Sequence, residues 1–146
     1  MRIAILHSIL FLILNAAFPG TSPAQTPFHK RDSLLQEIEG SQPQKQIGLY
    51  LQLASQYMEE DPEKTLQYSQ KAHELSMALE QQADQARSRL MMGKACLELD
   101  RYGEAATHLA HAATHYKKRN EKEQLEEVFF RMGEAYNKLG IYEKSD

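Results

Sequence analysis

Tryptophan is absent from this 146-residue chain, and cysteine occurs once, at Cys96. A single thiol excludes an internal disulfide and any multi-cysteine metal centre. A strong charge of either sign is missing as well. The formal net charge is −3 and the pI about 6.1, which gives no electrostatic footing for nucleic acid or an anionic membrane surface. No apolar run reaches the ~20 residues that a spanning helix needs. Nothing alternates with period two over a strand's length. There is no glycine-rich phosphate loop, no serine elbow and no zinc knuckle. Carboxylates are many but scattered beside lysines, as at Glu121, Lys122, Glu123, Glu126 and Glu127. No pair stands in an apolar setting that would raise a pKa for acid–base work. No catalytic site and no cofactor are expected in this segment.

What is present is the balance of a folded protein, 42% hydrophobic and 25% charged. The N-terminus reads as an export signal over residues 1–24. Arg2 supplies a positive end, residues 3–18 are apolar apart from His7, Ser8 and Asn15, and Pro19-Gly20 breaks the run. Small residues at Ser22 and Ala24 place cleavage before Gln25. No cysteine follows the apolar run, so a lipid anchor there is excluded. A linker with a short helix, capped by Asp32-Ser33 and stopped by Gly40, is expected over 25–43. Beyond Pro43 the spacing predicts helices at about 44–60, 63–80, 83–99, 102–118 and 122–139. Lys117-Lys118-Arg119 reads as a helix C-terminus ending near Asn120, favoured by the helix dipole.

The helices repeat. Met92, Gly93, Ala95, Leu99 and Tyr102 return 40 positions later as Met132, Gly133, Ala135, Leu139 and Tyr142. An earlier unit is offset by 39, with Ala54, Tyr57 and Leu66 before Gly93, Cys96 and Ala105, and by 40 where Ala72 precedes Ala112. Small residues at Ala54, Gly93 and Gly133 allow a second helix to approach closely, and Ala105, Leu109 and Ala112 form the stripe that nests against them. Tyr102 and Tyr142 are expected in the turns, wedging each pair of helices at a fixed angle.

This pattern resembles the tetratricopeptide-repeat (TPR) family over residues 44–146. A small residue, an aromatic three further on, an aromatic in the turn, then alanine, a large residue and alanine match Gly93, Cys96, Tyr102, Ala105, Leu109 and Ala112, with cysteine in an aromatic's place. Gly133, Tyr136 and Tyr142 match in the third unit, where Ser145 replaces alanine; Ala54, Tyr57, Leu66 and Ala72 match in the first, where Ser69 replaces the large residue. The period of 40 exceeds the usual ~34 and implies longer helices. The resemblance implies an all-α TPR-like α-solenoid of antiparallel helix pairs, about two and a half repeats at 44–80, 82–119 and 121–146, the last truncated. The signal segment and the run Asp61-Pro62-Glu63-Lys64-Thr65-Leu66 also look like the exported N-termini of bacterial membrane signalling proteins with histidine-kinase or helix-turn-helix outputs. That likeness implies a periplasmic sensory input segment of a larger protein. A free-standing periplasmic scaffold for envelope assembly or secretion is the alternative.

In this family the first helix of each unit lines a concave groove. By register the groove residues are Leu51 and Ser55, then Leu90, Lys94 and Leu97, then Phe130, Glu134 and Asn137. Leu51, Leu90 and Phe130 would form an apolar floor for a protein or peptide partner. A membrane would be reached only through an uncleaved N-terminal segment or a downstream helix, and copies of the chain would pair through the open edge of the third unit. A metal-sensing reading uses the stripe His108, His111 and His115 with Glu104. Two helical turns (~10 Å) separate His108 from His115, too far for one ion to take all three, so no metal is assigned and a solvated outer face is expected. Cys96 is expected in the core as a small hydrophobe.

Overall fold

A computed structural model describes residues 27–143, with side chains placed for residues 29–140. The export signal and Ser145 therefore lie outside the described residues. Six helices make up what is described: α1 (Pro27–Gly40), α2 (Pro43–Tyr57), α3 (Pro62–Ala78), α4 (Gln82–Glu98), α5 (Tyr102–Arg119) and α6 (Lys122–Glu143). Among the described residues there is no strand, and no helix is long and apolar enough to cross a membrane. Arg31–Asp146 forms one compact unit.

Local chemistry explains the boundaries. Asp61 caps α3, its carboxylate accepting from the Lys64 amide at 3.1 Å, and Pro62 follows at the first helical position, where its missing N–H costs nothing. The stops of α3, α4 and α5 are copies of one another. Glu80, Asp100 and Asn120 each take a left-handed φ of 55–58°. At each stop the next amide reaches back five residues, Gln81 to the Ser76 carbonyl, Arg101 to that of Cys96 and Glu121 to that of Tyr116, at 2.8–3.0 Å. This double closure satisfies carbonyls that a helix end leaves bare. It recurs every 20 residues, which makes the 40-residue period two equal halves.

Connections of two to four residues between helices of 15 to 22 residues force consecutive helices to run antiparallel where they pack along their length. Every helix from α2 to α6 packs on its neighbour in sequence. Beyond that, α2 touches α4 and α4 touches α6, whereas α3 and α5 do not meet. The result is two layers, one in which α4 contacts both α2 and α6, and one in which α3 and α5 stand apart.

The main core lies among α4, α5 and α6, with Cys96, Ala105, Leu109, Ala112, Tyr116, Val128 and Ala135 buried. Gly93 is the point of closest approach. A Cβ there would stand 2.6 Å from Leu109 Cγ and 3.4 Å from the Ala105 carbonyl, so α5 crosses α4 with no room for a side chain. Gly133, one period later, has nothing within 4 Å of a Cβ position. Among the described residues nothing covers its face of α6, and Phe129 and Tyr136 there are more than half exposed.

Several expectations require correction. Helix α1 begins at Pro27, so Asp32 and Ser33 are exposed surface residues inside it and not its cap. Tyr102 is the first residue of α5, buried, with its hydroxyl donating to the Asp100 carboxylate, and not a turn residue. Tyr142 lies within the last turn of α6, which runs on past the predicted stop at 139. In the first unit the residue equivalent to Ala105 is Thr65, not Leu66. Thr65 is fully buried and its hydroxyl donates to the Ala54 carbonyl at 3.1 Å, while Leu66 is only partly buried. The whole of α3 thus follows α5 at an offset of 40, with Thr65, Ser69, Ala72 and Ser76 facing inward where α5 has Ala105, Leu109, Ala112 and Tyr116.

Candidate functional sites on two faces

On the layer formed by α2, α4 and α6, a cleft of about 310 Å³ opens between α2 and α4. Gly48, Leu51, Gln52 and Ser55 line it from α2, and Arg87 and Met91 from α4. The α2 residues fall at i, i+3, i+4 and i+7, one helical stripe. On α4 the matching stripe is Arg87, Met91 and Lys94, and Lys94 reaches across to Glu127 on α6 at 2.8 Å. Arg87 is held by Asp84 at 3.0 Å. Gly48 leaves open space above α2, with no atom within 4 Å of a Cβ position.

The groove residues inferred by register divide between this cleft and the interior. Leu51 and Ser55 line the cleft. Leu90 packs against the main core and Leu97 is buried in it, one residue round the helix from the cleft wall. A step of one residue turns a helix by ~100°, which is the difference between Leu90 facing inward and Met91 facing the cleft. Phe130 is 70% exposed on α6, Glu134 pairs with Arg131 at 3.1 Å, and Asn137 is exposed. Leu51, Leu90 and Phe130 therefore do not form one apolar floor. Gly48, Gln52, Arg87 and Met91 went unrecognised in the sequence, although the spacing of 87, 91 and 94 marks them as one face.

On the opposite side, where α3 and α5 stay apart, a groove of about 380 Å³ exposes the N-terminal half of α4 as its floor. His73 stands on its α3 wall, Arg89 on the floor, and His111, Thr114, His115 and Lys118 on the α5 wall. The histidine stripe of α5 thus borders a groove and is only partly solvated: His111 is exposed, while His108 and His115 are half-buried. Arg89 donates to His108 Nδ1 at 3.0 Å, with the imidazole as neutral acceptor. Burial first, and then the Arg89 charge, hold the pKa of His73 and of His108 below the ordinary 6.5, so both are neutral at pH 7. Among the described residues no three His, Cys, Asp or Glu side chains converge to hold a metal ion.

Cys96 sits fully buried beside Ala105 and Leu109, and burial pushes its thiol pKa up, away from the thiolate that a nucleophile needs. At the other end of the unit, Arg31 of α1 is buried with its guanidinium 4.2 Å from the Tyr57 ring centre, donating to the Gln56 carbonyl at 2.8 Å and paired with Glu60. It ties α1 to the end of α2, a contact over 25 residues that no local pattern announces.

The chain matches no family model, no curated protein and no solved structure.

Proposed function

We propose that the chain is a TPR-like α-solenoid whose role is to bind a protein or peptide, without chemistry of its own. The cleft between α2 and α4 supports this reading. It has an apolar wall in Leu51 and Met91, hydrogen-bonding edges in Gln52 and Ser55, a cation at Arg87, and free space above Gly48. An extended peptide laid there would place one apolar side chain against Leu51 and Met91 and a carboxylate or carbonyl toward Arg87. The offset of 40 between α3 and α5, the matched helix stops, and the contacts of α4 with both α2 and α6 support the repeat architecture.

The same proposal places the segment outside the cytoplasm, as the input part of a larger signalling protein. It rests there on the charged start, apolar run and Ser22-Pro23-Ala24 site of residues 1–24. A mature protein beginning at Gln25, seen by mass spectrometry of the expressed full-length chain, is the expected result.

Selection of a displayed peptide library against the chain tests the cleft. Recovered peptides should share an apolar anchor and an acidic position, and should lose at least about tenfold in affinity against Gly48→Trp, which fills the cleft without touching the core. Peptides indifferent to both Gly48→Trp and Met91→Ala, or no enrichment at all, would count against the reading.

A further inference from the structure

The groove between α3 and α5 lies on the face away from the peptide cleft and has a different chemistry. It stands open because the backbones of α3 and α5 come nowhere within 8 Å of each other at Cα, and side chains of α4 are presented at its floor. The arginine there is unusual in this chain. Arg31, Arg87, Arg101, Arg119 and Arg131 each pair with a carboxylate within 4 Å. Arg89 alone among the described arginines has none. Its one hydrogen-bond partner, His108 Nδ1, supplies an acceptor but no charge. Half-burying a guanidinium without a counter-ion is unfavourable, and a fixed guanidinium fork suits a two-oxygen anion.

The rest of the groove is built to the same sign. None of its lining residues is acidic, although the chain as a whole carries more carboxylates than cations. Lys118 on the α5 wall is likewise outside every ion pair of the described residues. His111 and Thr114 add donors to the same wall, and Nε2 of His115 lies covered with no hydrogen-bond partner. Met77 and Ala86 give the groove an apolar portion. About 380 Å³ is room for a small molecule, and too little for a folded partner.

We propose that this groove is a binding site for a small anion, a molecule whose carboxylate or phosphate group is held by Arg89 with Lys118, His111 and Thr114 around it. The site is independent of the α2–α4 cleft, and its occupancy does not depend on whether that cleft takes a peptide. An anion in the groove joins α4 and α5 through one charge.

The test uses the isotopically labelled chain, titrated with inorganic phosphate and separately with succinate at about pH 7 and fixed ionic strength, with backbone amides followed by NMR. At least one probe should give saturable shifts concentrated in residues 82–89 and 111–118, with Kd about 1 mM or tighter. Saturation by phosphate alone identifies a phosphoryl ligand, by succinate alone a carboxylate, and by both a site that reads charge and shape. Arg89→Gln should weaken binding about tenfold or more, and Arg101→Gln, whose guanidinium is already paired with Glu104 outside the groove, should leave it unchanged. His111→Ala, at an exposed position, should weaken it about two- to threefold and serves as the readout if Arg89→Gln unfolds. Shifts that rise linearly with both probes, or the same affinity in Arg89→Gln, or in His111→Ala where that is the readout, as in the parent chain, overturn the proposal.

Discussion

Gly93 and Gly133 are one repeat apart and share neighbours in sequence, Met immediately before and Ala two residues after, yet their surroundings are opposite. At Gly93 the missing side chain is occupied by Leu109 of the crossing helix; at Gly133 it is occupied by nothing. The sequence pattern is therefore a provision for a crossing helix, and only a helix that actually lies across it turns the glycine into a packing contact. A residue's repeat position tells what it is shaped to receive. Whether it receives anything is a property of the tertiary structure.

The contrast can be broken by mutation. The largest effect should come from Leu109→Ala, which empties the space over Gly93: a fully buried leucine lost from a close-packed core costs about 2–5 kcal/mol in urea unfolding. Next is Gly93→Ala. Its new Cβ would meet Leu109 Cγ, which has nowhere to retreat, at a cost of about 1–3 kcal/mol offset by up to about 1 kcal/mol of better helix propensity. Combined with Leu109→Ala, the same change should cost less than it does alone, since the clashing atoms are gone; strictly additive losses would show that the two do not touch. Gly133→Ala should reverse the sign and stabilise by up to about 1 kcal/mol, because the helix gains and nothing is displaced. A loss at Gly133 comparable with that at Gly93 would mean that a helix covers both.

The smallest effect concerns acid. His108 is held below its ordinary pKa of 6.5, chiefly by burial and then by Arg89, with Glu104 acting the other way and His73 and His111 adding minor repulsion. The unfolded chain therefore takes up the proton first. Stability from this group is complete above about pH 6.5, falls as the pH drops toward the folded-state pKa, and levels off below it. His108→Gln should make the urea midpoint less sensitive to pH across that window, and an unchanged slope would assign the sensitivity to other groups.

The helices from α2 on are legible because they depend on local chemistry, Asp61-Pro62 at a start, the basic end of α5 before Asn120, and the 40-residue return of small and large residues; the end of α6 is not. Three further features are not. Arg31 was read as part of a linker because what holds it, Tyr57 and Glu60, lies more than 25 residues away. Thr65 was passed over for Leu66 because a hydroxyl looks like a surface residue until its partner, the Ala54 carbonyl, is seen. The groove side of α4 was placed one residue off, since Leu90 and Met91 are equally apolar and only the packing decides which of them turns inward. The Arg89 groove has no signature of its own in the sequence: no carboxylate stands three or four residues from Arg89 in either direction, but the same is true of Arg31, which finds Glu60 through the tertiary fold.

The gap between α3 and α5 has a mechanical consequence. Two rods that share only a common support can open or close like the leaves of a hinge, with little contact area lost as the angle changes. Bending along this direction should be soft, while sliding of α4 past α5 is blocked by Leu109 lodged against Gly93. A force on the unit should therefore change the width of that gap before it slides α4 along α5.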